Sequence, residues 1–423
     1  MKFYIETLGC KVNTYESNVM SEELKREGFL EVSEAEADVC ILNSCTVTNG
    51  SDSKSRKVIR SMRRNNPHAI IAVVGCYSQI EKEKLLDLGV QIVIGNKGKS
   101  KIGTFIKEYV KTKQPIVYIE DLRHTDFETM KLNNFNRTRA FVKIQDGCNN
   151  FCSFCIIPYA RGNVRSKNPR DVMDEVKQLI KEGHHEIVLT GIHTGHYGSE
   201  LKDYHFIDLL TDLVEVEGLE RLRISSIELN EITDEVIKLM ENNPILVDHM
   251  HIPLQSGCDK ILKSMNRKYD MEYFKNRIQK IRKVRPNISI TTDVIVGFPG
   301  ETEEDFEETL RNIEELKFSK IHVFPYSRRK GTKADQMENQ IKEEVKKERV
   351  HRLMELSKKL EIAYMEQFLN QEVEMIPEVI KEGYLIGHTG NYLLVKAKGS
   401  GEELHKNKKV TIKEINYPYC LAE

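Results

Sequence analysis

Three cysteines stand close together in the stretch DGCNNFCSFCIIPYARG (146–162). Cys148, Cys152 and Cys155 follow the spacing C-x3-C-x2-C, and thiolates at such short spacing are typical metal ligands. A structural zinc site takes four protein ligands, and a simple electron-transfer iron–sulfur cluster usually takes four thiolates. Three thiolates on one short loop therefore predict a metal centre with one coordination position left open.

A second set of cysteines is spread over residues 1–125. This region alternates short β-branched segments with amphipathic ones, which favours a parallel sheet covered by helices. Cys10 follows the first predicted strand, and Cys45 and Cys76 end the second and third. The carboxyl ends of parallel strands share one edge of a sheet. We therefore expect these three cysteines to meet in a second metal site. The predicted strands are 2–9, 38–45, 69–76 and 90–96.

The other three of the nine cysteines lack such a placement. Cys40 lies inside a predicted strand, and Cys258 and Cys420 have no cysteine partner nearby in sequence. Free cysteine is often a small buried residue, so we interpret all three as structural thiols.

The middle of the chain repeats a strand–helix pattern. Six such units predict an incomplete βα-barrel, whose chemistry lies at the carboxyl ends of its strands. The three-cysteine loop follows the first of these strands and so opens onto that rim. The predicted strands are 140–145, 186–191, 221–228, 249–257, 290–300 and 320–327.

Two further sequence patterns follow in the last part of the chain. Residues 332–370 are highly charged with periodic apolar positions, which predicts a long amphipathic helix. After Asn370, short strands with glycine turns predict a small β-barrel. The expected fold class is thus α/β in three parts: a parallel-sheet domain (1–125), a partial (βα)6 barrel with its linking helix (137–370), and a small β-barrel (371–423).

The composition is that of an ordinary globular protein: 423 residues, 39% apolar and 30% charged, with a net charge of −1. The start, MKFYIETLGC, lacks an apolar signal core, and no run approaches about 18 apolar residues. We expect a cytoplasmic protein with no membrane partner. The balanced charge means that any nucleic-acid site must come from local patches.

The three-cysteine loop resembles the signature of radical S-adenosylmethionine (SAM) enzymes. Nearly the whole chain is similar to the radical SAM methylthiotransferase family. The matching stretches are TLGCKVNTYES (7–17), NSCTVTN (43–49), GCYSQ (75–79), DGCNNFCSFCIIPYARG (146–162), LQSGCDKILKSMNRKY (254–269), DVIVGFPGETEEDF (293–306) and FPYSRRKGTKA (324–334).

This resemblance implies two 4Fe-4S clusters. One would sit on Cys148, Cys152 and Cys155, with SAM on its open iron, and the other on the three N-terminal cysteines. It also implies a C-terminal TRAM β-barrel that helps to bind RNA. In the family, reductive cleavage of SAM yields a 5′-deoxyadenosyl radical that opens the way to methylthio insertion at C2 of adenine. The electron donor and the oligomeric state are not indicated by the sequence.

Within the family, the phrases TLGCKVN, CTVTN and IQDGCNNFC look most like the branch acting on N6-threonylcarbamoyladenosine at position 37 of the tRNA anticodon loop. The branches acting on isopentenyladenosine-37 and on ribosomal protein S12 are less similar and remain alternatives. An alternative from another class is a non-catalytic iron–sulfur protein that binds RNA or senses redox state.

Candidate SAM contacts are polar or glycine residues that follow the predicted barrel strands. Each of them could instead make an ordinary hydrogen bond at the rim. They are Thr190 and Gly191, expected near the methionine moiety; Ser226 and Glu228, near the ribose or amino group; Gln255 and Ser256; and Gly297 and Gly300, where adenine could approach the backbone. His193 and His196 are expected to be surface or rim residues, since thiolates account for both metal centres.

Two basic stretches could contact RNA, although a solvated surface is the plain alternative for each. Residues 54–64 carry six basic side chains and no acid, and residues 396–413 carry six lysines against two glutamates. Arginines near predicted strand ends could hold phosphate or the carboxylate of a threonylcarbamoyl group. These are Arg161, Arg165, Arg328 and Arg329.

Overall fold

The first part of the chain forms a six-stranded, all-parallel sheet in the order β2-β1-β3-β4-β5-β6. The computed structural model describes residues 1–133, 135 and 137–423. The strands are β1 (Lys2–Thr7), β2 (Leu30–Glu31), β3 (Val39–Ser44), β4 (Ile70–Gly75), β5 (Ile92–Ile94) and β6 (Ile116–Tyr118). The helices are α1 (Lys11–Arg26), α2 (Asn49–Asn65), α3 (Cys76–Ile80), α4 (Lys82–Asp87) and α5 (Ile102–Thr112). The four predicted strands are confirmed, and the short strands β2 and β6 extend the sheet at its edges.

The central strands of this sheet are buried on both faces. Every residue of β3 is buried, which its continuous apolar run VCIL already favours. Helices on the two sides contribute separate apolar clusters, one around Ile59 and Met62 of α2 and one around Met20 and Leu24 of α1. The sheet is therefore a rigid layer that holds its strand ends in place.

The middle of the chain forms a partial barrel from six parallel strands. Its strands, with a small β-ladder formed by β8 and β9, are β7 (Arg139–Lys143), β8 (Gln145–Asp146), β9 (Arg165–Ser166), β10 (Glu186–Thr190), β11 (Arg221–Ile224), β12 (His249–His251), β13 (Ser289–Val296) and β14 (Lys320–Pro325). Its helices are α6 (Ile157–Arg161), α7 (Pro169–Lys181), α8 (Phe206–Val214), α9 (Asp234–Asn242), α10 (Asp259–Ser264), α11 (Met271–Val284) and α12 (Glu303–Leu316).

The six barrel strands fall into two three-stranded sheets, β7-β10-β11 and β12-β13-β14. A bridge between Leu222 and Leu246, and a hydrogen bond from Ile227 N to His251 O at 3.0 Å, join the sheets at β11 and β12. In the described part of the chain, β7 and β14 do not pair with each other. The barrel therefore has an open side, as the six-unit pattern predicted.

The linking helix is shorter than expected. Helix α13 spans Glu343–Glu366, not the whole of 332–370. A short turn at Lys333–Asp335 comes first, and the side chain of Gln340 donates to the carbonyls of Ala334 and Met337 at 2.9 Å each. This local bonding competes with a helix, so the helix begins only at Glu343.

The last part of the chain is a closed five-stranded barrel in the order β15-β16-β17-β19-β18. Its strands are β15 (Glu372–Lys381), β16 (Tyr384–Thr389), β17 (Leu394–Lys398), β18 (Lys408–Asn416) and β19 (Tyr419–Ala422). The expected three-part α/β fold class is confirmed. Among the helices of the described residues, none has the length and apolar character needed to cross a membrane.

The C-terminal barrel closes the amino end of the βα-barrel. The ring of Tyr392 stacks on His249 at 4.7 Å between centroids. The guanidinium groups of Arg223 and Arg139 lie over the same ring at 4.7 and 5.0 Å. Tyr392 has a left-handed backbone with φ of 69°, a conformation that an aromatic residue adopts only when its surroundings hold it. The contacts of the ring with three partners, and a turn hydrogen bond from Tyr392 N to Thr389 O at 3.0 Å, supply that restraint.

We expect Tyr392→Ala to loosen the C-terminal barrel from the βα-barrel. The change removes one stacking interaction and two cation–π interactions, which together stabilise the interface by about 1–3 kcal/mol. The midpoint of thermal unfolding should fall by several degrees, and protease cleavage between α13 and β15 should accelerate. Tyr392→Phe keeps the ring and should be destabilised by less than half as much. Equal destabilisation of both variants would contradict the role given to the ring.

Candidate functional site

Three cysteines converge at the carboxyl edge of the N-terminal sheet, and we call Cys10, Cys45 and Cys76 the N-terminal cysteine set. Cys10 caps α1 after β1, Cys45 follows β3, and Cys76 begins α3 after β4. Gly9 and Gly75 precede two of them with φ of 103° and 101°, a left-handed backbone that glycine adopts without strain. A Cβ added at Gly9 would lie only 2.8 Å from the Cβ of Cys45. Glycine is thus required for the first loop to approach the second cysteine.

The three thiols of this set influence one another electrostatically. Burial raises the pKa of Cys45 to about 11, and the charges of Cys76 and Cys10 add to that rise. All nine cysteines lie among the described residues, and each is a free thiol. Thiols this close repel one another as thiolates until a cation binds them, and metal binding displaces their protons. Three convergent, unpaired thiols from three strand ends fit an iron–sulfur cluster.

The second group, which we call the loop cysteine set, is Cys148, Cys152 and Cys155. Its loop is held at both ends, since Cys148 N donates to Gly162 O at 3.0 Å and Cys155 N donates to Cys152 O at 2.9 Å. Burial raises the pKa of Cys155 to about 12, and the charges of Cys152 and Cys148 act in the same direction. The loop set therefore has the same mutual repulsion as the N-terminal set, and it fits a cluster for the same reason.

A buried arginine contacts the loop cysteine set. Arg267 donates through Nη1 to Cys152 Sγ at 3.4 Å. Its Nη2 pairs with Glu228, and it also donates to the hydroxyl of Tyr269 at 2.9 Å. Glu228, a candidate SAM contact from the sequence, lies with Cys152 and Arg267 around a small cavity of 130 Å³. A cation at the sulfur favours the thiolate form that a metal needs.

A buried histidine also contacts this set. His193 follows β10 at the rim of the barrel, one of the two positions expected for it, but only 4% of its surface is exposed, so it is not a surface residue. Its Nδ1 is 3.7 Å from Cys148 Sγ, and its Nε2 is 2.7 Å from a carboxylate oxygen of Glu231. Its ring stacks on the partly exposed His196 at 3.9 Å. Glu231 thereby orients the imidazole toward the sulfur, as neighbouring carboxylates do around metal sites.

Arg161 is fully buried between the two cysteine sets, so it does not hold phosphate. Its Nε donates to Cys76 Sγ at 3.2 Å and its Nη2 to Asn13 Oδ1 at 2.7 Å. Its Nη1 donates to Glu16 at 2.8 Å and to Asp146 at 3.2 Å. Burial alone would raise the pKa of Glu16, but the charge of Arg161, with those of two lysines, holds it well below the usual value.

Those two lysines complete a buried charged network. Lys143 donates to Glu16 and to Asp146 at 2.7 Å each, and Lys99 pairs with Glu16. Asn96 extends the network to the second side of Cys76, whose sulfur accepts from Nδ2 at 3.4 Å. The cations outnumber the carboxylates, and the surplus positive charge lies beside a sulfur that would be negative when it binds a metal.

This network limits the distance between the two cysteine sets. Arg161 contacts Cys76 of the N-terminal set and lies six residues after Cys155 of the loop set. Six residues of fully extended chain reach at most about 20 Å. Helix α6 shortens that reach further, since helical residues advance only about 1.5 Å each. The two candidate metal centres are therefore neighbours in space.

A cavity of 780 Å³ opens between the N-terminal sheet and the barrel interior. Its wall includes Cys10 together with Thr190, Gly191 and Ser226, three of the candidate SAM contacts. Tyr392 of the C-terminal barrel lines its other end. The volume lies within the range of small-molecule and cofactor sites. All three parts of the chain thus contribute to one cavity.

The candidates after the fourth barrel strand have other partners. Ser256 is fully buried, with Oγ 3.4 Å from Thr309 Oγ1, and it accepts a hydrogen bond from Cys258 N at 3.3 Å. Gln255 has a left-handed φ of 70°, and its main chain pairs alongside β13. Neither residue lines the large cavity.

Of the two candidate glycines, Gly297 lies against the linking helix and Gly300 bonds to the segment before it. Gly297 has a φ of 71° and donates to Glu301 Oε2 at 2.6 Å. A Cβ there would stand 2.4 Å from Cγ of Lys346 in α13. Gly300 donates to Asn339 O at 3.0 Å. Glycine is thus required at position 297 because helix α13 packs closely against it.

The other arginines named from the sequence are engaged outside the cavity. Arg165 donates to the carbonyl of Leu122 at 3.1 Å, Arg328 pairs with Asp335 at 2.6 Å, and Arg329 pairs with Asp52 at 2.8 Å. The three remaining cysteines are buried as expected, namely Cys40, Cys258 and Cys420.

Sequence reasoning missed several residues that contact the cysteine sets. Arg267 and Glu16 belong to the stretches NRKY and NTYES, which lie in or beside the recognised motifs. Charged residues at those positions could have been named as candidates from the sequence. Asn96 has no such signal. It comes from a turn after β5 and reaches Cys76 only through the fold.

Comparison with known proteins gives matches along most of the chain. The description "Radical SAM superfamily" matches residues 142–313, and "Uncharacterized protein family UPF0004" matches residues 2–95. A solved structure of the radical SAM methyltransferase TsrM from Kitasatospora setae shares the fold, with a TM-score of 0.56 at 15% identity over 76% of this chain and 72% of that one.

Curated relatives are similar over nearly the full length. The threonylcarbamoyladenosine tRNA methylthiotransferase MtaB of Bacillus subtilis (strain 168) is 48% identical, over 98% of this chain and 94% of that protein. MtaB of Aquifex aeolicus is 39% identical, over 95% of this chain and 98% of that protein. The tRNA-2-methylthio-N(6)-dimethylallyladenosine synthase of Clostridium botulinum (strain Loch Maree) is 37% identical, over 98% of this chain and 95% of that protein. With two neighbouring cysteine sets and relatives of this kind along nearly its whole length, the chain belongs to the radical SAM methylthiotransferase family.

Proposed function

We propose that this protein attaches a methylthio group to C2 of N6-threonylcarbamoyladenosine at position 37 of tRNA. The observation that carries the proposal is the pair of neighbouring cysteine sets, one of which opens through Cys10 onto a cavity large enough for a nucleoside. The similarity to MtaB of Bacillus subtilis, at 48% identity, supports this substrate branch over the isopentenyladenosine branch, whose relative is 37% identical. A tRNA substrate would make the protein cytoplasmic.

The two cysteine sets would each hold a 4Fe-4S cluster, and SAM would bind at the loop cysteine set. When bound, these groups supply the radical, the sulfur and the methyl group, none of which a side chain provides. The chain supplies placement. Arg267 and His193 contact sulfurs of the loop set, and Arg161 and Asn96 donate hydrogen bonds to Cys76; the two arginines also bring a positive charge to the thiolates.

We retain Thr190, Gly191 and Ser226 as SAM contacts, because they line the large cavity at the carboxyl end of the barrel strands. Glu228 remains a candidate through its position beside Cys152. An anticodon loop is single-stranded, so its base can leave the stack and enter such a cavity through the open side of the barrel.

Helix α2 is a candidate RNA surface. Its side chains Lys54, Lys57, Arg60 and Arg64 are exposed, whereas Arg56 donates to the hydroxyl of Tyr77 at 3.1 Å. The C-terminal barrel offers a second surface with exposed lysines at 398, 406 and 413. Phosphate contacts of this kind set the orientation of an RNA without reading its sequence.

The iron content of the reconstituted protein tests the two clusters. We expect about eight irons per chain, and replacement of the whole loop cysteine set by alanine should remove about half of them and abolish SAM cleavage. Replacement of the N-terminal cysteine set should remove the other half. The matched control is the triple replacement of Cys40, Cys258 and Cys420, which should leave the iron unchanged. Full iron content without the N-terminal set would refute the second centre.

Substrate choice separates the remaining branches. Purified tRNA carrying either threonylcarbamoyl or isopentenyl at adenosine 37 is supplied with SAM and a reductant, and the product nucleosides are identified by mass spectrometry. We expect 2-methylthio product from the threonylcarbamoyl substrate alone. Product from isopentenyladenosine alone, or on ribosomal protein S12, would move the protein to another branch. No SAM cleavage at all would favour the non-catalytic iron–sulfur alternative.

RNA affinity should depend on α2 through its basic side chains. Binding of the intact protein should weaken as salt rises, because neutralised phosphates release counterions. The triple variant Lys57→Ala/Arg60→Ala/Arg64→Ala should lower the slope of log Kd against log salt by about one for each phosphate that is no longer neutralised. The comparison variant carries alanine at lysines 398, 406 and 413. An unchanged slope in the α2 variant would exclude this helix from the RNA surface.

A further inference from the structure

A carboxylate distinguishes threonylcarbamoyladenosine from adenosine and from isopentenyladenosine, and a buried carboxylate needs a cation. None of the four arginines considered from the sequence supplies one to the cavity, because each is engaged elsewhere: Arg161, Arg165, Arg328 and Arg329. The cation must come from a residue that the motifs did not single out.

Three lysine or arginine side chains line the large cavity, and two of them are already paired. Arg223 donates through Nε to Glu186 at 2.6 Å. Lys320 pairs with Glu361 at 2.9 Å. The third is Lys11, for which no ion pair or hydrogen bond of the side chain is found among the described residues. Within that described wall, it is the one lysine or arginine whose charge is free to meet a ligand.

The groups that face Lys11 make this position attractive to an anion. His322 and His249 line the same cavity, and their pKa values are lowered first by burial and further by nearby positive charges, including that of Lys11. Two carboxylates line the same wall: Asp293, 3.2 Å from Nε2 of His251, and Glu361, which pairs with Lys320. Among the described residues, neither carboxylate forms an ion pair with Lys11, so its charge is available to a ligand.

Lys11 also stands where the reaction would occur, since it directly follows Cys10 of the N-terminal cysteine set. In threonylcarbamoyladenosine, the ureido N–H can donate to adenine N1, which adjoins C2. That hydrogen bond turns the threonyl carboxylate toward the edge of the base that carries C2. A base presented with C2 toward Cys10 would thus bring its carboxylate to the same side of the cavity.

We propose that Lys11 binds the carboxylate of the threonylcarbamoyl group and so makes the cavity selective for this modified base. The inference rests on the proposed function and assigns its substrate specificity to one side chain. An isopentenyl group offers no charge to Lys11, and its burial beside an unpaired ammonium group would be unfavourable.

The test measures binding rather than turnover. Three anticodon stem-loop RNAs differ only at position 37, which carries adenosine, threonylcarbamoyladenosine or its methyl ester. The reconstituted protein should bind the acid about tenfold or more tightly than the neutral ester, the size expected of one charge-assisted hydrogen bond. Lys11→Gln should reduce that ratio to about one, and Lys11→Arg should retain most of it. Affinity for the adenosine stem-loop should not change.

A matched control removes a positive charge outside the cavity. Lys57→Gln, on the exposed face of α2, should affect all three stem-loops equally. Iron content and the visible absorption spectrum establish that each variant carries both clusters, because Lys11 adjoins a cluster ligand. If Lys11→Gln loses a cluster, the comparison of acid and ester in the unaltered protein still decides whether the cavity reads the charge.

The outcomes separate this inference from the proposed function. Equal binding of acid and ester by the unaltered protein would overturn the inference, as would a ratio unchanged in Lys11→Gln. An equal weakening on all three stem-loops in Lys11→Gln would make Lys11 a phosphate-binding residue and would also overturn it. A failure of the proposed function looks different, since the unaltered protein would then turn over isopentenyladenosine and not threonylcarbamoyladenosine.

Discussion

Buried charges must find partners, and that requirement joins the N-terminal sheet to the barrel. Glu16 comes from α1, Asp146 from β8, Lys143 from β7 and Arg161 from α6, and all four are almost completely buried. Removal of one partner from such a network typically costs about 3–5 kcal/mol, because it leaves an uncompensated charge. The two domains therefore have one well-defined relative position, and Arg161 carries that constraint directly to the sulfur of Cys76. The spacing of the two proposed clusters depends on it.

The two cysteine sets bring three sulfurs together in different ways. The loop set comes from one short segment, so its three sulfurs are close whatever the rest of the fold does. The N-terminal set comes from three separate strand ends, and only the parallel sheet brings its members together. Each set also has a buried arginine on one sulfur, Arg267 at Cys152 and Arg161 at Cys76. Hydrogen bonds to the sulfurs of a cluster are among the factors that set its reduction potential. Both arginines are therefore placed to influence the reduction potential of a bound cluster as well as to hold its cysteine ligands in position.

The C-terminal barrel is part of the cavity as well as a candidate RNA surface. Tyr392 covers the amino end of the βα-barrel, and charged residues of β15 pair with Arg139 and Arg221 at the beginnings of β7 and β11. The C-terminal barrel thus contributes Tyr392 to the same cavity wall as Cys10 and Lys11.

The sequence by itself determined the fold class, the two cysteine sets and the family. Strand and helix periodicity is local, and the C-x3-C-x2-C loop carries its ligand geometry within eight residues. Even the meeting of Cys10, Cys45 and Cys76 followed from one general rule about parallel strands. The tertiary structure alone decided which charged side chains serve the site. Arg161 and Lys11 both stand within motif stretches, yet Arg161 is buried in an ion network, whereas Lys11 lines a cavity and has no ion pair among the residues that the structure describes. The partners of Arg161 and the cavity wall around Lys11 come from segments far apart in the chain, and contacts between such segments leave no local signal in the sequence.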